Sequence, residues 1–355
     1  MKKRLGWAIL AVIMVLVSGL TLGQRQMGEF LFERAVSSTA GVDRATALPD
    51  GLHAYVCGSG SPMPDADRAG PCIAVLAGKR GFVFDAGSGS IRKLGRMGFP
   101  MDRIDAAFLT HLHSDHFDGL GELMLQAWIA GGRDTPLPIH GPEGTERIVA
   151  GFTEAYTIDS GYRIAHHGAA VARPGGYGGE ARIVPMEAGG AVVYRDGEVT
   201  IRALPVDHAP VESALAYRID YGGRSLVISG DTVKSGALAR FAKGADVLFH
   251  EALNPAMVGQ IGQQLAARGN ADAAKIMADI PDYHTSPEDA ARIAAEAGVR
   301  ELVLYHLVPA PPARLIERVF LGEARDHFEA IRLAQDGMLI SLPASGKAVT
   351  FDNLL

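Results

Sequence analysis

The sequence predicts an α/β protein, a four-layer αβ/βα sandwich with mixed sheets inside and helices outside. Three observations carry this. Short apolar runs rich in Val, Ile, Leu and Phe recur along the chain, separated by Gly and Pro, as strands separated by turns do. Helix-like segments follow them at 118–130, 143–156, 286–297 and 323–335. Several of the apolar runs end in His or Asp, so metal-binding residue types collect at strand tips. Two successive β-then-α halves that both place such residues at strand ends fit two sheets packed face to face.

The elements follow in order. Lys2-Lys3-Arg4 is a positive n-region, Trp7 to Val17 is uninterrupted apolar sequence, and small residues lie around Ser18 to Gly23. This order predicts a signal peptide over residues 1–23. There is no A-x-A cleavage site, and Leu5 to Gly23 is nearly long enough to cross a bilayer, so a retained membrane anchor is the equal alternative. Either places the remainder in the periplasm or outside the cell. Residues 24–50 read as a spacer, with a short helix over Gln24–Arg34 and no period over Ala35–Asp50. Residues 51–355 read as one catalytic domain whose two halves meet near residue 195. It opens with antiparallel strands around His53–Cys57, Cys72–Ala77 and Gly81–Phe84. Cys57 and Cys72 end one strand and begin the next; a disulfide and two buried thiols both fit, and neither has a zinc spacing.

Thr110-His111-Leu112-His113-Ser114-Asp115-His116 follows the apolar run Ile104–Leu109. His111 and His113 alternate on one side of the chain and can share one ion. Asp115 and His116 lie on the turn beyond and can reach a second. Neutral imidazole and carboxylate are zinc ligands. A solvated His-rich turn is the plain alternative, and the buried-looking strand before it argues against that. His208, Asp231 and His306 each sit at the tip of a later apolar run. One such His is ordinarily a hydrogen-bonded structural residue, but three residues in register with the first cluster point to a shared metal site.

The ordered set resembles the metallo-β-lactamase superfamily, from about Leu52 to Pro343. Within it the resemblance is to the branch of ribonuclease Z and the arylsulfatase-like hydrolases. The stretches that carry it are Cys57 to Pro62, Phe84-Asp85-Ala86-Gly87, Thr110 to His116, Val206 to Ile219, Ser229 to Thr232, His250-Glu251-Ala252, His284-Thr285-Ser286 and His306. The resemblance implies one zinc ion on His111, His113 and His208 and a second on Asp115, His116 and His306, with Asp231 bridging. Manganese or iron suits the same donors nearly as well. It makes Asp85 and Glu251 supports behind the ligands, Asp115 the residue that orients the attacking hydroxide, and His284 the proton donor to the leaving group. A plain role for His284 is to cap the helix starting at Ser286, although Ser286 itself can do this. Cys57 and Cys72 depart from the branch, which usually has Thr and Ser there. A true β-lactamase is disfavoured because most two-zinc members of that branch carry Cys where Asp231 stands.

The implied reaction is hydrolysis of a sulfate ester, phosphodiester or related small ester by hydroxide held between two ions. The alternatives are a ribonuclease Z-like tRNA 3′-processing endoribonuclease, a lactonase or thioesterase, and a metal-binding protein without turnover. The chain has 355 residues, 48% of them hydrophobic, with net charge −6, and no run of Lys or Arg beyond residue 4. A basic face for a polyanion is therefore not evident. Residues 158–190, where the resemblance would put a tRNA-clamping arm, hold eight glycines and only Arg163, Arg173 and Arg182 as cations. A small ester is thus the expected substrate, and nucleic acid is not. The stretch Ala155–Arg163 resembles the arylsulfatase-like branch and makes Arg163 a candidate contact to an anionic substrate, unless it pairs with Asp159. Gly58-Ser59-Gly60-Ser61 lacks the Lys of a P-loop and reads as a plain loop. His140 reads as a strand-end residue, and His166-His167 as exposed residues of a loop. A homodimer stays open.

A phosphatase reporter fused after Asp50 is expected to be active only outside the cytoplasm. A soluble cytoplasmic fusion would refute the export reading and bring tRNA precursors back within reach.

Overall fold

The computed structural model describes the backbone of residues 2–355; before residue 23 it describes the side chains of Trp7, Met14 and Thr21 alone. Two compact units are present, Met1–Arg44 and Ala45–Leu355. The first is a single helix, α1 (Lys2–Thr39). It continues five residues past the predicted end at Arg34, because no Gly or Pro interrupts residues 29–39. The hydroxyls of Ser37, Ser38 and Thr39 donate back to carbonyls of Arg34 and Ala35, which keeps them from competing with the helix. Gly41, left-handed at φ 71°, follows its end. The signal or anchor expected over residues 1–23 lies largely outside the described side chains. Among the described residues no helix is long and apolar enough to cross a membrane.

In the second unit the described residues form strands β1 (Gly51–Gly58), β2 (Cys72–Ala77), β3 (Arg80–Phe84), β4 (Ile104–Phe108), β5 (Leu137–Gly141), β6 (Gly179–Ile183), β7 (Ala191–Asp196), β8 (Val199–His208), β9 (Val211–Tyr221), β10 (Arg224–Ile228), β11 (Val247–Leu253), β12 (Glu301–Val308), β13 (Ile331–Leu333), β14 (Met338–Pro343) and β15 (Thr350–Asn353). One sheet has the order β15-β14-β1-β2-β3-β4-β5-β6 and the other β13-β12-β11-β10-β9-β8-β7. The helices are α2 (Ser90–Arg96), α3 (Ser114–Phe117), α4 (Leu120–Ile129), α5 (Thr145–His167), α6 (Gly236–Phe241), α7 (Pro255–Ala267), α8 (Ala271–Asp279), α9 (Pro287–Ala297), α10 (Arg314–Leu321) and α11 (Ala324–His327).

The two sheets pack face to face through Phe82, Phe84 and Phe108 on one side and Tyr217, Ile219 and Leu226 on the other. Alternate residues of the same strands face outward. Those of the first sheet bury Leu120, Leu123 and Ala127 of α4, and those of the second bury Ala290, Ile293 and Ala294 of α9. Strands covered on both faces must be apolar at nearly every position, which is why they read as runs rather than as alternation. This is the αβ/βα sandwich the sequence predicts.

Four local expectations change. The switch between sheets falls between Ile183 and Ala191 rather than near 195, because residues 191–196 already form β7. The C-terminal β14 and β15 return to the first sheet, β14 lying antiparallel to β1, so the halves are not closed in sequence. Helix α5 continues past Tyr156 to His167, where Gly168 at φ 76° stops it; His166 and His167 end a helix and are not in a loop. The helix expected over 323–335 is only α11, because Ile331–Leu333 pairs in parallel with β12. Cys57 and Cys72 form a disulfide, their Cα atoms 5.1 Å apart, across the bulged pairing of β1 and β2.

Arg224, 4% exposed, ties the returning strands to the second sheet. Its Nε and Nη2 donate to the two carboxylate oxygens of Asp246, each at 3.0 Å. Its remaining N–H groups reach the carbonyls of Pro343, Gly346 and Ala348 at 2.7–3.0 Å. Asp246→Ala would leave a buried guanidinium without its counter-charge and is expected to cost about 3 kcal/mol in urea unfolding. A loss below about 1 kcal/mol would show that the carbonyls suffice.

Candidate metal centre

Strands β3, β4, β8, β10 and β12 end at the same rim, and the predicted ligands sit there. Asp85 follows β3 with φ 56°, a left-handed conformation unusual for a residue with a Cβ. Its own N–H bonds the Phe108 carbonyl at 2.8 Å. Its carboxylate accepts from the Thr110 backbone N–H at 2.8 Å, from Thr110 Oγ1 at 2.9 Å and from His116 Nδ1 at 2.9 Å. Asp85 therefore fixes the turn after β4 and leaves His116 Nε2 facing inward. The role of Thr110 is not evident from the sequence, although it opens the His-rich motif.

His208 closes β8, and its Nδ1–H donates to the Tyr283 carbonyl at 2.8 Å, which turns Nε2 toward the cluster. His306 is the extra residue of a β-bulge: Tyr305 pairs with Glu251 and Leu307 with Ala252, leaving His306 unpaired at φ 46°. Asp231 follows β10 after Gly230, where φ is 61° and an added Cβ would lie 2.5 Å from the Leu215 carbonyl oxygen. Only glycine permits the backbone that carries Asp231 into the centre.

The donor atoms converge. His111 Nε2 and His113 Nδ1 are 2.9 Å apart, and His208 Nε2 is 3.3 Å from His113 Nδ1. Asp231 Oδ2 lies 3.4 Å from both His116 Nε2 and His306 Nε2, 3.9 Å from His111 Nε2 and 4.0 Å from His208 Nε2. Asp115 Oδ2 lies 3.3 Å from His306 Nε2 and 3.6 Å from His116 Nε2. His111, His113 and His208 form one group able to hold an ion, Asp115, His116 and His306 another, and His111, His116 and Asp231 join them. His116 Nε2 and Asp231 Oδ1 are buried without hydrogen-bond partners. A knot of ring nitrogens and carboxylate oxygens with few protons to share suits cations, so the donor set fits the metal chemistry expected of it.

Electrostatics agree. Burial lowers the pKa of His113 and His208, and that of His111 well below the ordinary range, which favours the neutral form that can act as a ligand. Burial also opposes charge on His116, yet Asp231, Asp85 and Asp115 outweigh it and push its pKa well up. The carboxylates favour positive charge at this place, which a metal ion supplies as well as a proton does. Asp231 is held well below the carboxylate range against its burial, by His306 and His116.

His284 borders the same cluster. Its Nδ1 lies 3.2 Å from Glu251 Oε2, while Glu251 Oε1 accepts the Thr285 N–H at 2.7 Å and the Glu251 N–H reaches Ser229 Oγ at 3.0 Å. Burial opposes the charged imidazolium, but Glu251 prevails and the pKa is raised to about 9. Ser286 Oγ accepts from the Asp289 N–H and caps α9, so His284 is not needed as the cap. A cavity of about 490 Å³ opens here, with His113, Asp115, Asp231, His284 and His306 on one side and Met63, Ile276, Met277, Ile280 and Val308 among the apolar lining.

Other candidates lie elsewhere. Arg163 pairs with Asp159 at 2.6 Å within α5 and does not line the cavity, because the segment expected to be a loop is helical. His140 is buried at the end of β5, stacked 4.7 Å from Phe108, and burial lowers its pKa to about 4. Ser59 serves the fold, bonding the Asp336 carboxylate.

Fold and site together define a hydrolase of the metallo-β-lactamase fold. Residues 80–307 match the family described as β-lactamase superfamily domain, and the chain belongs to that superfamily. A Mycobacterium avium protein named ribonuclease Z is 40% identical over 287 residues, 80% of this chain and 96% of the relative. Ribonuclease Z of Mycobacterium tuberculosis strain H37Rv is 38% identical over 265 residues, 73% of this chain and 86% of the relative. Among solved structures, the metallo-β-lactamase fold protein YhfI from Bacillus subtilis matches with TM-score 0.57 at 23% identity, covering 82% of this chain and 99% of its own. The short form of human tRNase Z matches with TM-score 0.57 at 20% identity and the same coverage. The expectation that nucleic acid is not a partner is overturned by relatives this similar that carry the name ribonuclease. Net charge misled because it averages over the whole surface.

Metal-reloaded protein is expected to hold about two transition-metal ions per chain by mass spectrometry, and Asp231→Ala about one. A wild-type count near one would overturn the paired site.

Proposed function

We propose that this protein is a binuclear metal-dependent phosphodiesterase that cleaves RNA in the manner of ribonuclease Z, with tRNA precursors as the substrate class. The observation that carries the reading is 40% identity over nearly the full length of a relative named ribonuclease Z. The relatives' name favours this reading over the sulfate esters that the sequence put first. In it, His111, His113 and His208 would hold one ion and Asp115, His116 and His306 the other, with Asp231 within reach of both groups. When bound, such ions, zinc by superfamily and manganese or iron by donor type, would supply Lewis acidity to the phosphoryl oxygens and acidify water.

The chain's own residues do the rest. Asp85 and the Tyr283 carbonyl fix the rings of His116 and His208 through their Nδ1 atoms, so that Nε2 is presented in each case. Asp115, at the cavity wall, orients the attacking water and accepts its proton. The P–O bond to the departing ribose breaks, and His284 delivers a proton to that oxygen. Glu251 Oε2, 3.2 Å from His284 Nδ1, favours the charged ring that has a proton to give. Removing His284 would leave the metal donors in place and the leaving oxygen unprotonated.

Metal-replete protein is expected to cleave a 3′-extended tRNA and bis-p-nitrophenyl phosphate, and not p-nitrophenyl sulfate. His284→Ala should slow cleavage of RNA roughly 10²–10⁴-fold, the range for loss of a general acid, at unchanged metal content. Hydrolysis of the p-nitrophenyl diester, whose leaving group needs no proton, should fall far less. Cleavage of the sulfate alone would overturn the reading, and equal losses on both diesters would remove His284 from the reaction.

A further inference from the structure

Helices α7 and α8 contribute almost nothing to the core. Of their residues only Val258 is buried, against Ala290, Ala291, Ile293 and Ala294 among those of α9. They pack on each other at close range: a Cβ on Gly262 would sit 3.1 Å from Met277 Cβ. The pair then delivers Ile276 and Met277, and the turn that follows α8 delivers Ile280, to the cavity that Asp115, Asp231, His284 and His306 also line. Ile276 is 56% exposed, an unusual place for a large apolar side chain unless it meets something.

The opposite contribution comes from the connection between β1 and β2. Met63 lies on it and, with Met277 and Ile280, packs on the small cluster of Leu253, Val258 and Val308. The connection is clamped. The Cys57–Cys72 disulfide closes its base. Asp336 accepts from the Ser59 N–H at 2.9 Å, the Ala69 N–H at 2.6 Å and Lys93 Nζ at 2.6 Å. Arg68 Nη1 donates to the Ala334 carbonyl at 2.7 Å. The apolar wall is therefore a built surface, and the described residues lining the cavity include no Lys or Arg.

We propose that Met63, Ile276, Met277 and Ile280 form a subsite for a flat aromatic group attached next to the scissile bond, which in RNA is an unpaired base. The proposal rests on the phosphodiesterase reading and adds to it what the substrate must carry. Thioether side chains suit ring faces and edges and accept different rings, and an aliphatic wall rewards any planar apolar face. A phosphoryl group held at the donor cluster places its ester substituent in the remainder of the cavity, where no Lys or Arg among the described residues offers a second phosphate a partner. Selectivity here falls on the ring and not on further charge.

The test compares bis-p-nitrophenyl phosphate with methyl p-nitrophenyl phosphate in metal-loaded wild type and Ile276→Ser, with Met277→Ala as a second variant. Both diesters carry one negative charge and the same leaving group, and taking the ratio in each protein cancels their intrinsic reactivities. The aryl-over-methyl ratio of kcat/KM is expected to fall roughly 10-fold in Ile276→Ser, mainly through KM for the aryl diester. An unchanged ratio in both variants overturns the subsite. Should the wild type cleave neither diester, the phosphodiesterase reading fails separately, and calorimetry with phenylphosphonate and methylphosphonate decides the subsite. Tighter phenylphosphonate binding that Ile276→Ser abolishes supports it, and equal affinities overturn it.

Discussion

Asp231 is a carboxylate 2% exposed, set among the imidazoles of His111, His116, His208 and His306 within 4.0 Å. A buried charge costs several kcal/mol unless it is paired, and neutral rings alone do not pair it. The arrangement is stable only if positive charge is brought to the same point, by protons or by metal ions. Much of the surrounding structure serves to hold this knot closed: five strand tips at one rim, Gly230 making room for the turn, and Asp85 and Tyr283 steering the outer ring nitrogens. The sandwich core sets the strand directions, and the strand directions set the donors.

Among the described residues, two with side chains occupy left-handed backbone, Asp85 and His306, and both serve the cluster. Such conformations cost on the order of 1–3 kcal/mol and persist where surrounding bonds over-determine them. Asp85 is held by bonds from its carboxylate to Thr110 and His116 and from its own N–H to Phe108. His306 is held by the parallel pairing of β11 with β12 on either side of the bulge. Without the bulge, strand alternation would send residue 306 to the face its register dictates. The extra residue re-aims the ring toward Asp115 and Asp231.

The site was legible where chemistry and period coincide. His111, His113, Asp115 and His116 lie directly after an apolar strand, and His208, Asp231 and His306 end later strands, so residue type and position alone bring them together. Asp85 and Glu251 were legible only through resemblance, since nothing local in the sequence shows which ring nitrogen a carboxylate will face. Thr110 and the Tyr283 carbonyl were not legible, because a backbone acceptor has no signature and a threonine has many uses. The return of β14 to β1 is a long-range pairing that no local pattern encodes. Helices α7 and α8 escaped notice because Gly259 and Gly262 lower the helix propensity of α7 and the apolar residues of both face a cavity and each other instead of a sheet. Arg163 was misplaced for the converse reason: its pairing with Asp159 at helical spacing signals a helix surface, which removes it from the site.

The charge argument against nucleic acid failed at a specific step. A basic face is needed when affinity comes from many phosphates neutralised at once, and a net charge of −6 speaks to that mode. Cleavage acts on one phosphate, and the positive charge that matters there sits within a few ångströms of it. A centre built from buried imidazoles and a few carboxylates concentrates its charge locally, so the side-chain census of Lys and Arg says little about what the centre can attack. The described residues beside the cluster extend the same logic. Where the cavity leaves the donors it becomes apolar, lined by Met63, Ile276, Met277, Ile280 and Val308.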